Sequence, residues 1–107
     1  MANEAIPEAL RRRYIDSFPG KCAAFEAVIS RMSAGGVYAH DVDAVATLRD
    51  LAHKLAGSAG MYGFDDLGNL AREVVHAVDA SAGPAIIGGL AQTLLQGLTA
   101  AHLALDM

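Results

Sequence analysis

Apolar side chains return every third or fourth residue along most of this chain, a spacing that builds helices with one buried face. Strands would need strict alternation and an enrichment in Val, Ile, Thr and Tyr, and neither is present. Hydrophobic residues make up 53% of the 107 residues, yet aromatics are only 6% and tryptophan is absent. Much of the apolar content is alanine and leucine, both strong helix formers. The sequence therefore predicts an all-α protein, with helices packed on helices.

Five helical segments can be read. Pro7 suits the first turn of the first, where a missing N–H costs nothing, and Ile6, Leu10 and Tyr14 mark its apolar side. Pro19 and Gly20 break the pattern. Phe18, Cys22, Phe25, Ile29 and Met32 then line a second helix, which Ser33-Ala34-Gly35-Gly36 closes with glycines fit for a C-terminal cap. Asp41 is placed to cap the third helix, read over 42–61 and ending near Tyr62-Gly63. Asp65 or Asp66 starts the fourth, with Leu67, Leu70, Ala71, Val74 and Val78 inward. After the connector Ser81-Ala82-Gly83, Pro84 opens the fifth, whose stripe is Ile87, Leu90, Leu94, Leu98, Ala101 and Leu105. Short connections make neighbours antiparallel. The expected architecture is an antiparallel up-down four-helix bundle with an additional N-terminal helix, forming a single domain over residues 1–107.

Charge and cysteine content narrow the function classes. A net charge of −4 argues against nucleic acid, and Arg11-Arg12-Arg13 reads as the solvated face of the first helix. The one cysteine, Cys22, excludes an internal disulfide and falls in an apolar series, as a small buried hydrophobe does. The start of the chain shows no signal-peptide pattern, and no long apolar run suggests a membrane span. The expectation is a soluble cytoplasmic monomer.

One histidine stands out. With about 100° per residue, Leu48, Ala52, Leu55 and Ala59 share one stripe of the third helix, flanked by Val45 and Leu51. His53 points about 160° away from Leu55 by the same count. Its own face carries Arg49, Asp50, Gly57 and Gly60. Each interior glycine costs a helix about 1 kcal/mol against alanine, and this glycine stripe faces away from the core. Close helix packing is the ordinary use of such a stripe; on the outside, it clears room for a visitor. A neutral imidazole is a nucleophile near pH 7. If it attacks phosphorus, nearby cations must offset the charge on the phosphoryl oxygens. Arg49, one turn before His53, and Lys54, adjacent to it, are the candidates, ranked above Ser58, which falls toward the far side.

The run Ala52-His53-Lys54-Leu55-Ala56-Gly57-Ser58-Ala59-Gly60, followed by Gly63-Phe64 and the Leu67–Leu70–Ala71 helix start, resembles the histidine-containing phosphotransfer (HPt) domain family. The resemblance implies a four-helix bundle with one exposed phospho-accepting histidine, His53. It implies relay of phosphoryl groups between aspartates of response-regulator receiver domains, some of them attached to a hybrid histidine kinase, in two-component signalling of the bacterial type. No ATP-dependent kinase activity is expected, and no cofactor; the magnesium belongs to the partner receiver. Asp50, Gly57, Gly60 and Arg72 are the expected partner-binding residues. The family usually carries lysine three residues after the histidine, where this chain has Ala56. Lys54, Arg49 or Arg72 can substitute, and the sequence leaves open which does.

Two other readings compete. Asp50-x-x-His53 and Glu73-x-x-His76 both have the spacing of a bundle metal site, but the fifth helix offers no carboxylate between Gly83 and Leu105, and His76, like His53, is expected to face outward. A passive or degenerate bundle would dock receiver domains without transferring phosphate. His40 falls in a loop, and His102 has no patterned companions.

Overall fold

The computed structural model describes residues 6–33 and 42–105. Its elements are α1 (Glu8–Asp16), α2 (Phe18–Met32), α3 (Val42–Ala59), a 3-10 turn over Gly60–Tyr62, α4 (Asp65–Asp79) and α5 (Pro84–Leu105). No strand occurs among the described residues. Helix α2 packs on α3 and α5, and α4 packs on the same two, so four helices close a ring.

Particular contacts give the directions. Cys22 near the start of α2 lies 3.8 Å from Thr99 near the end of α5. A methyl added at Gly97 of α5 would sit 3.2 Å from Leu67 and 3.3 Å from Leu70 in the first half of α4. Arg49 early in α3 meets Asp79 at the end of α4. Lys21 and Phe25 of α2 share a cavity of about 370 Å³ with Leu51, Leu55 and Ser58 in the second half of α3. Successive helices of the ring are therefore antiparallel.

The core follows the periodicity. Phe18, Phe25 and Met32 from α2 meet Leu48, Ala52, Leu55 and Ala59 from α3, Leu67, Ala71 and Val74 from α4, and Ile87, Ala91, Leu94 and Leu98 from α5. Each large apolar side chain buried in this way contributes roughly 1.5–3 kcal/mol. Alanines at the contact points keep the helix axes close. No helix among the described residues is long and apolar enough to cross a membrane.

Several local expectations shift. The break between α1 and α2 falls at the single residue Ser17, while Pro19 and Gly20 lie within the first turn of α2, where a proline forfeits no helical hydrogen bond. Pro7 precedes α1 as its N-cap residue, in extended conformation. Leu10 is 41% exposed, and Ile15 takes the buried place instead, because α1 leans on the bundle mainly through its last turn. Arg11 is not wholly solvated: it lies 5.0 Å over the Phe64 ring and donates to the Tyr62 carbonyl at 3.2 Å. Helix α2 ends at Met32, with the Ser33 hydroxyl donating to the Ile29 carbonyl at 2.8 Å. The expected glycine cap at Gly35 and Gly36, His40 and the Asp41 cap lie outside the described residues.

Candidate functional site

His53 is exposed in the middle of α3, with the buried Ala52 and Leu55 on the opposite face. Helical Cα–Cβ bonds tilt toward the N-terminus, so the imidazole leans over the turn that carries Arg49 and Asp50. The pairs Ala59–Gly68 and Arg49–Asp79 set the antiparallel register of α3 against α4. In that register His53 is level with Val74 and Val75, and Ala56 is level with Ala71 and Arg72.

The glycine stripe is open. Among the described residues, a methyl added at Gly57 would find nothing within 4 Å beyond its own stretch of helix, so this glycine accommodates no neighbouring element there. At Gly60 the added methyl would meet only Asp65 Oδ1, at an ordinary 3.7 Å. Gly63, by contrast, is required by the backbone, because its φ of 88° is left-handed and ends the 3-10 turn.

The cations are arranged unequally. Arg49 donates to both Asp79 oxygens, Nε to Oδ1 at 2.6 Å and Nη2 to Oδ2 at 3.0 Å, in a bidentate clasp from α3 to α4. That hydrogen bond, and then the Arg49 charge with smaller effects from His76 and His53, hold the Asp79 carboxyl below the ordinary carboxylate range. The same pairing raises the Arg49 guanidinium above its ordinary value. Lys54 lies 3.2 Å from Asp50, with side chains 73% and 62% exposed, so this contact opens freely to water. Arg72 donates to Asn69 and folds back over Gly68, where an added methyl would sit 3.6 Å from its Nη2 and 3.8 Å from the Ala59 methyl. Its guanidinium is therefore aimed toward the Ala59–Gly60 end of α3, away from His53.

The Hpt domain family matches the chain over residues 9–104. The chain belongs to this family. Hpt domains are the phosphotransfer modules of phosphorelays and interact there with receiver domains and histidine kinases. No curated protein and no solved structure matches the chain significantly. In this Hpt domain, Ala56 leaves a neutral, half-buried methyl one turn after His53. Two cations of the same helix flank His53 in sequence: Arg49, one turn before, and Lys54, the next residue, which lines the cavity shared with Lys21 and Phe25 of α2.

Sequence reasoning overlooked two things. The first is an aromatic cluster that fastens the end of α3. Tyr14 stacks on Tyr62 at 4.2 Å, Phe18 meets Phe64 edge-on at 5.3 Å, and the hydroxyls of Tyr14 and Ser58 share a 2.7 Å hydrogen bond. The tyrosine and phenylalanine flanking Gly63 were the available signal. The second is Asp79, whose pairing with Arg49 follows only from the helix register. Of the metal-site pairs, Asp50 is engaged by Lys54, while Glu73 and His76 are exposed.

Proposed function

We propose that this protein is a phosphorelay intermediate in which His53 takes a phosphoryl group from a receiver-domain aspartate and passes it to another receiver. A receiver docks over α3 and α4 and brings its aspartyl phosphate in line with the imidazole. A ring nitrogen bonds to phosphorus as the bond from phosphorus to the aspartyl oxygen breaks, and the carboxylate leaves. The return step runs the same exchange in reverse onto a second aspartate. Arg49 and Lys54 offset the phosphoryl charge, Gly57 and Gly60 give clearance, and Asp50 and Arg72 contact the partner. Magnesium resides in the receiver, so this chain carries no cofactor. The unit acts as a monomer in the cytoplasm, with residues 1–107 forming one domain and α1 serving as the additional helix that steadies the turn after α3.

The observation that supports this most is the pairing of an exposed His53 with Gly57, one turn on, whose missing side chain relieves no internal crowding. A passive module would gain helix stability from alanine there and lose nothing. Incubation with phosphorylated receiver domains tests the proposal. Acid-labile phosphate is expected on the wild type and absent from His53→Gln. Wild-type protein that docks receivers yet stays unlabelled would establish the passive reading instead.

A further inference from the structure

Resting on the phosphoacceptor reading of His53, we propose that Asp79 is a positioning residue, a built-in stand-in for the phosphoryl group that holds the Arg49 guanidinium on the side of α3 facing α4, one turn before His53, until phosphorylation displaces it. Three features of the geometry lead to this. First, Arg49 sits four residues before His53, about 6 Å along the axis, on the turn over which the ring leans. Second, its two donors already grip two oxygens of an anion in the fork geometry that suits phosphate equally well. Third, Asp79 comes from the other helix of the proposed docking face, level with Arg49, with His76 one turn before it on α4.

An exposed arginine would ordinarily sample many rotamers, and fixing them costs conformational entropy. Here Asp79 has already fixed the guanidinium in the resting protein. Phosphorylation of His53 places a group of charge near −2 beside that carboxylate, so two anions compete for one fork. The phosphoryl group carries more charge and more acceptor oxygens and takes Arg49. The displaced carboxylate is left beside His76. Asp79 thus has two effects: it positions Arg49, and it opposes the incoming anion until the exchange is made.

The test uses phosphoramidate, a small donor that phosphorylates histidine directly: the N–P bond to His53 forms, the donor's P–N bond breaks, and ammonia leaves. Asp79→Asn should speed labelling of His53 about two- to fivefold, because removal of the competing charge outweighs the lost positioning of Arg49. Arg49→Ala should slow it, Arg49→Lys should restore part of the rate, and Asp79→Asn should gain less in the Arg49→Ala background. In wild-type protein the Arg49 Nε–H resonance should move on phosphorylation, a readout that a purely structural ion pair would not give. Unchanged or slower labelling of Asp79→Asn, or an Arg49 resonance that stays in place, overturns the proposal while leaving the phosphoacceptor reading intact. A wild type that phosphoramidate does not label at His53 overturns both.

Discussion

The hydroxyls of Tyr14 and Ser58 lie 2.7 Å apart and join α1 to the helix that presents His53. Together with the Tyr14–Tyr62 stack at 4.2 Å, this bond fixes the end of α3 and the turn that follows it. Ser58 is thus occupied on the flank of α3 that faces α1. The two glycines of the exposed stripe, Gly57 and Gly60, are left clear.

Tyr14→Phe should cost about 1 kcal/mol, the net value of an ordinary hydrogen bond, and leave His53 labelling unchanged. The variant should also alter the response to alkali. Burial raises the Tyr14 pKa above 10.0, and this outweighs the lowering by Ser58. The folded state therefore keeps a proton that the unfolded chain gives up, so the contribution is complete below pH 10.0 and is lost as pH rises through the folded value. Burial of Lys21 lowers its pKa and acts in the opposite direction in the same range. Urea midpoints at pH 9 and pH 11 should fall more for the wild type than for Tyr14→Phe.

Gly57 separates folding from function. Because an added methyl finds open space, Gly57→Ala should raise stability by up to about 1 kcal/mol. Gly57→Leu should remain folded by circular dichroism but lose receiver-dependent labelling. Undiminished labelling of the leucine variant would show that no partner surface approaches there.

Gly63 should behave in the opposite way. Its φ of 88° places any substituted side chain in the left-handed region. Gly63→Ala should destabilise by about 1–2 kcal/mol in urea titration, with the phosphohistidine still formed at temperatures where the variant is folded.

Lys54→Ala removes an exposed i,i+4 ion pair worth roughly 0.3–0.5 kcal/mol, so the melting temperature should barely move. Transfer from a phosphorylated receiver should nevertheless slow several-fold, because the charge lost stands beside the reacting imidazole. An unaffected rate would give the whole compensating role to Arg49.

Local periodicity alone determined the number of helices, the apolar stripes of α2 to α5 and the outward azimuth of His53, since each depends only on residues within a turn or two of one another. It misplaced the break between α1 and α2 and the buried side of α1, which depend on how α1 docks. It also exposed the glycines beside the histidine, because a helix fixes which residues share a face. Only the tertiary structure decided how the surface charges are shared. Arg49 and Asp79 are thirty positions apart in the sequence, and their pairing depends on the register of two antiparallel helices. Arg72 falls level with Ala56 by that register yet aims elsewhere, because a helical side chain slopes toward its own N-terminus. Tyr62 and Phe64 likewise became structural only when α1 folded across the end of α3, a long-range docking with no counterpart in local spacing.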